Sequence, residues 1–190
     1  MKSLFWKIED LIWGLRCRYN YWLHGPYGLS KVIERMPFRF IVKYLRKYGA
    51  TIGDNCRFER GLNLHRPAAS PPFKNLKIGN GVYLGHNTLF DLTEPLVLED
   101  KVIVASRCQF WTHASIYRSN DFDASEYDEL TAPVRICQGA IIYSNVLVGA
   151  GVTIGAFARV GANSLVNKNV EDQLFVGGVP VKQIGKVNEK

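Results

Sequence analysis

The sequence is poor in the features that mark several broad classes. Four cysteines in 190 residues, none in CxxC spacing, exclude a disulfide scaffold and point to reduced, mostly packed thiols at Cys17, Cys56, Cys108 and Cys137. No apolar run approaches the roughly 18 residues of a membrane-spanning helix. The N-terminal MKSLFWKIEDLIWGLRCRY interrupts its apolar residues with charges too often for a signal peptide, so a cytoplasmic location is expected. The Gly-rich phosphate loop that ends in Lys-Ser or Lys-Thr is missing, which argues against ATP chemistry. Hydrophobic residues, by contrast, make up 47% and charged residues 22%, the balance of a folded domain with or without an appendage.

Charge divides the chain in two. Residues 1–50 hold ten Lys/Arg against three Asp/Glu, whereas residues 51–190 hold fourteen of each, so the whole net charge of +7 lies in the first fifty. Trp6, Trp13 and Trp22 lie there too. The seam falls near Gly49-Ala50, giving a basic, aromatic-rich helical region (1–50) and a second region (51–186) of different construction.

That second region is a six-residue repeat. From Ile136 it divides into ICQGAI, IYSNVL, VGAGVT, IGAFAR, VGANSL and VNKNVE, with Ile or Val first and Ala, Val or Ser fifth. The template also fits the hexads at 52, 78, 84, 98, 104 and 110. Phase shifts mark insertions at 64–77, near Glu94-Pro95, and at 116–133. Short strands joined by tight turns, three to a coil of 18 residues, stack at about 4.8 Å and align the apolar positions in interior columns. Ile136 should lie over Ile154, Ile142 over Val160, and Val148 over Val166. Position four is Asn or Gly in eight hexads (Asn55, Gly81, Asn87, Gly139, Asn145, Gly151, Asn163, Asn169), residues that tolerate a left-handed corner. Gly at position two and the Val/Ile enrichment argue against an amphipathic helix. The expected fold is all-β, a left-handed parallel β-helix of hexapeptide repeats, preceded by the helical region.

The repeat and the ending NSLVNKNVEDQLFVGGVPVKQIGK resemble the hexapeptide-repeat acyltransferases, and within them the maltose, galactoside and surface-polysaccharide O-acetyltransferases. The resemblance covers residues 50–186. It implies a homotrimer with active sites between subunits, acetyl-CoA as cosubstrate, no metal, and a sugar or saccharide hydroxyl as acceptor. It places the general base at His113, in FWTHAS before the 116–133 loop; otherwise His113 is a left-handed corner residue. What orients His113 is left open, because Ala114-Ser115-Ile116 follows it where many relatives have an acid or a second His. On the acceptor side the resemblance points to the coil holding His86, Asn87 and Asp91. Gly85 and Thr93 stand at its aligned places, and Asp91 either binds a sugar hydroxyl or orients His113. For the donor it maps Ser144 and Ala162 to the pantetheine, and Lys168 and Lys182 to phosphate, with Lys186 in reserve; each lysine is equally read as a solvated charge. Tyr117, Arg118 and Tyr127 are candidate saccharide contacts in the acidic loop.

In the first fifty residues, Leu4, Phe5, Ile8, Leu11, Ile12 and Leu15 recur at helical spacing, as do Ile41, Tyr44, Leu45 and Tyr48, with breaks at Gly25-Pro26 and Met36-Pro37. These stripes either pack on the prism or lie on an anionic membrane surface, which would suit a lipid-linked acceptor. No nucleic-acid module accompanies the charge. Rival readings are an N-acetyltransferase acting on an amino sugar nucleotide, a zinc carbonic anhydrase, against which stands the lack of two histidines five residues apart, and a noncatalytic scaffold.

Overall fold

A computed structural model describes residues 2–117 and 127–187. Helix α1 (Lys2–Glu34) bends at Gly25, where φ 61 and ψ −153 leave the helical region just before Pro26. Pro37 separates it from α2 (Phe38–Lys47), so the first fifty residues form three helical pieces. No helix among the described residues is long and apolar enough to cross a membrane.

Each later coil contributes one strand to each of three parallel faces. The first coil is β1 (Thr51–Ile52), β2 (Arg57–Phe58) and β3 (Asn63–His65); the second is β4 (Leu76–Ile78), β5 (Tyr83–Leu84) and β6 (Leu89–Asp91). The third is β7 (Leu96–Leu98), β8 (Ile103–Val104) and β9 (Gln109–Phe110). An antiparallel hairpin of β10 (His113–Tyr117) and β11 (Tyr127–Thr131) then leaves the prism. The fourth coil is β12 (Val134–Ile136), β13 (Ile141–Ile142) and β14 (Leu147–Val148), and the fifth is β15 (Thr153–Ile154), β16 (Arg159–Val160) and β17 (Leu165–Val166). Strand β18 (Leu174–Gly177) opens a sixth coil, and β19 (Lys182–Lys186) folds back antiparallel on it. Face one is β1-β4-β7-β12-β15, face two runs from β2 to β19, and face three is β3-β6-β9-β14-β17. This is the left-handed parallel β-helix.

The columns fall in the expected register: Ile136 pairs with Ile154, Ile142 with Val160, and Val148 with Val166. The corners follow the template with two exceptions. Ten of the twelve position-four residues have positive φ, among them Lys101, Arg107 and Phe157. His113 and Asn169 do not. Asn169 therefore corrects its expected left-handed corner; its Oδ1 instead accepts the Thr153 N–H at 2.8 Å.

The prism interior and the helices share one apolar core, which runs from Ile41 and Leu45 through Ile52 and Phe58 to Val176. Helix α2 covers the open end of the first coil. Its Arg46 donates to the Ile52 and Gly53 carbonyls (2.9 and 2.6 Å), which have no coil below to bond them. All four cysteines are free, and burial pushes the thiols of Cys17 and Cys108 up to about 12 and about 11.

Candidate active site

The edge where face three turns toward face one gathers His65, Asp91 and His113. Strand β9 ends there at Phe110, Trp111 and Thr112 follow, and His113 starts the hairpin instead of rounding the corner. Its side chain is only 10% exposed, and Nδ1 lies 2.7 Å from Asp91 Oδ2. Asp91 ends β6 one coil below. The same Oδ2 accepts the Thr112 N–H (2.9 Å) and hydroxyl (2.7 Å), and Oδ1 accepts the Thr93 hydroxyl (3.0 Å). Burial pushes the Asp91 carboxyl upward, but the bonds from His113, Thr112 and Thr93 outweigh it and hold its pKa below the usual carboxylate value. An ionised Asp91 can only accept, so the His113 proton sits on Nδ1 and the lone pair on Nε2.

These contacts settle what orients the imidazole: an acid 22 residues upstream, not one following it. They also correct the expectation that Asp91 meets the acceptor. Its side chain is 0% exposed and both oxygens are bonded within the chain. The alternative of His113 as a left-handed corner falls with its φ, which is not positive.

Two further rings pack on His113. His65, at the end of β3, stacks on it with centroids 5.6 Å apart and planes 21° apart, and Trp111 meets both imidazoles edge-on. Burial pushes the His65 pKa down; His113 and Arg66 add to this and Asp91 opposes it. His65 and Trp111 were absent from the expected site, since only the register of coils one, two and three brings residues 65, 91 and 111 together. Ligand-type atoms of His65, Asp91 and His113 lie within 4.8 Å of one another. The shortest of these contacts is the His113–Asp91 hydrogen bond, and Asp91 Oδ2 already accepts from three donors. Above the site, Arg66 pairs with Glu129 of the hairpin. The contacts expected of Tyr117, Arg118 and Tyr127 involve side chains outside the described residues.

The remaining expected residues lie on another edge, where face two turns toward face three. There His86, Ser106, Ser144 and Ala162 follow one another up successive coils, joined by the N–H groups of Arg107, Asn145 and Asn163, which donate to the carbonyls of His86, Ser106 and Ser144. Ser144 is half-buried and Ala162 exposed. Asn87 holds a left-handed corner (φ 56) on this edge. The His86 side chain is 56% exposed, with Nε2 3.8 Å from Glu59 Oε2. Lys182 opens β19 opposite Gly177, near this edge, whereas Lys186 lies at the far end of the strand. Lys168 instead sits two coils above Thr112 on the His113 edge. One chain thus brings Asp91 and His113 together and keeps Ser144, Ala162 and Lys182 apart from them.

No protein-family model matches the chain. It is 31% identical over 113 residues to the serine acetyltransferase of Buchnera aphidicola, spanning 60% of this chain and 37% of the relative. It is 24% identical over 147 residues to the galactoside O-acetyltransferase of Escherichia coli, spanning 77% of this chain and 68% of that one. Among solved structures, a hexapeptide-repeat acetyltransferase of Vibrio cholerae, complexed with acetyl-CoA, superposes with a TM-score of 0.73 at 24% identity, covering 88% of each chain. The fold and repeat define a left-handed β-helix protein. In that fold the chain is similar to the hexapeptide-repeat acetyltransferase structure, and it spans from about a third to two thirds of the length of these two curated relatives.

Proposed function

We propose that the protein transfers an acetyl group from acetyl-CoA to a hydroxyl of a saccharide, as a homotrimer with His113 as general base. The observation that carries this reading is the buried Asp91–His113 pair at 2.7 Å. A sugar hydroxyl is a poor nucleophile while its proton remains. Nε2 of His113 takes that proton as the hydroxyl oxygen bonds to the thioester carbon, and Asp91 steadies the imidazolium that forms. The tetrahedral oxyanion collapses, the C–S bond breaks, and the CoA thiolate leaves with the proton that His113 returns.

The donor fits the second edge. Ser144 and Ala162 are small and stacked one coil apart, which leaves room for pantetheine, and Lys182 near the top supplies charge for phosphate. A threefold axis parallel to the prism keeps every coil at its own height. It therefore sets one copy's His113, in coil three, against a neighbour's edge, with His86 and Asn87 below and Ser144 and Ala162 above. In this arrangement His86 and Asn87 face the acceptor, and Lys168 of the first copy adds to the phosphate site.

The first test is thermal unfolding with acetyl-CoA, CoA and ATP, where a ligand at 100 times its Kd adds about 2.7 kcal/mol. Shifts with the first two but not ATP support the donor. Thiol release is then screened over sugars, amino sugars and serine, and turnover on hydroxyl sugars is expected. Preference for an amine would convert the reading to N-acylation; no shift with acetyl-CoA at millimolar concentration would end it. His113→Ala should lower turnover by roughly 10²–10⁴-fold with Tm and oligomer mass unchanged.

A further inference from the structure

Helix α1 is apolar on two opposite faces, and only one of them has a partner among the described residues. Trp13, Cys17 and Tyr21 look inward: Cys17 is buried in the common core, and Tyr21 packs on Tyr48 with ring centroids 5.8 Å apart. On the far side Leu4, Ile8, Leu11, Leu15, Tyr19 and Trp22 are each 50–80% exposed. At 3.6 residues per turn these six fall within about 80° of arc along some 27 Å of helix. Such a double-faced helix leaves apolar area in water that a stable fold would otherwise cover.

The charges bordering the outer stripe all have one sign. Lys7 and Arg18 flank it on one side and Arg16 on the other. The two acids of this segment, Glu9 and Asp10, turn toward α2 and pair there with Arg39 and Lys43. We infer that the stripe is a docking surface for an anionic lipid bilayer, with α1 lying flat, its apolar residues in the acyl boundary and its cations among the headgroups. A second copy of the chain fits poorly, because two stripes face to face would set Lys7, Arg16 and Arg18 against the same cations with no acid between them.

The location connects this surface to the site. Beyond the Gly25 bend, α1 continues through the buried Leu29 and Ile33 and packs on the first coil at β3, whose His65 stacks on His113. Docking through α1 holds that flank of the prism near the membrane, where a saccharide carried on a lipid would present its hydroxyls. Only this last step rests on the acyl-transfer reading; the docking itself does not.

The test is co-sedimentation of the full chain with vesicles of phosphatidylcholine alone and of phosphatidylcholine mixed equally with phosphatidylglycerol. Binding is expected to the mixed vesicles only, and to weaken as salt rises. The triple variant Ile8→Gln, Leu11→Gln, Leu15→Gln keeps every charge and should bind roughly tenfold or more weakly. Its Tm, and its thermal shift with acetyl-CoA, should match the parent. Undiminished binding by the variant would show that charge alone suffices and overturn the stripe. So would a parent that ignores both vesicles, or one whose mass by light scattering falls on making the variant, since a copy would then be covering α1.

Discussion

At the scale of single residues, the proposed chemistry turns on which nitrogen of His113 holds its proton. Asp91→Asn keeps the size but presents an amide whose NH2 can turn to the imidazole and favour the wrong tautomer. We expect turnover to fall roughly 10²–10⁴-fold while KM for acetyl-CoA changes little, read by thiol release. The pair also sets an acid limit. The folded pKa of Asp91 is lowered, so its stabilisation is complete above its unfolded value of about 3.9 and is lost as pH falls through the folded one. His65 is lowered as well, so folding favours its neutral ring, and that contribution fades as pH drops from about 6.5 toward its folded pKa. Chemical denaturation at successive pH values should show stability declining first below about 6.5 and again below about 4, with His65→Gln removing the first decline. His113 was legible through the resemblance to the acyltransferases, since the hexad period alone made it a corner residue, and Asp91 because an acid replaces an expected neutral position. His65 was not, since nothing local ties it to a partner 48 positions away.

At the scale of the repeat, glycine at hexad position two has a steric cause in some coils and not others. A Cβ on Gly155 would meet Asp172 N at 2.5 Å, a backbone atom of the next coil that cannot swing aside. Gly149 occupies the same hexad position with nothing nearer than Val166 O at 3.5 Å. Gly155→Ala should therefore cost about 1–3 kcal/mol and lower Tm by several degrees. Gly149→Ala should be neutral or stabilising by up to about 1 kcal/mol. Matching thermal losses in the two variants would refute the distinction. Aliphatic position one and the Asn/Gly corners made the coils legible, because each hexad repeats the same packing problem. The excursions were less so: the phase shift put an insertion at 116–133, whereas the hairpin strands start at His113 and end at Thr131. A period locates where the coil resumes, but strand pairing outside the prism carries no period.

At the scale of the molecule, His113 and the Ser144–Ala162 edge belong to different corners, so the proposed trimer assembles each site from two copies. Chains carrying His113→Ala and chains carrying Ala162→Trp should each form inactive trimers. Refolded as an equal mixture, they should regain about a quarter of parental activity, the share of sites that draw the imidazole from one chain and the open edge from the other. No recovery would place both edges in the site of a single chain. The core that joins α2 to the first coil shows why the charge seam near Gly49 marks a change of architecture without marking a break in packing. Composition records the local pattern, whereas burial of Ile41 and Leu45 against Ile52 depends on the fold. The hairpin has a different relation to the whole. It leaves after Thr112 and returns in time for Val134 to pair with Leu96, as though nothing had intervened between coils three and four. The prism ladder therefore does not depend on the length of the excursion beyond His113, and on the proposed reading that segment can vary while the Asp91–His113 pair and the Ser144–Ala162 edge stay in place.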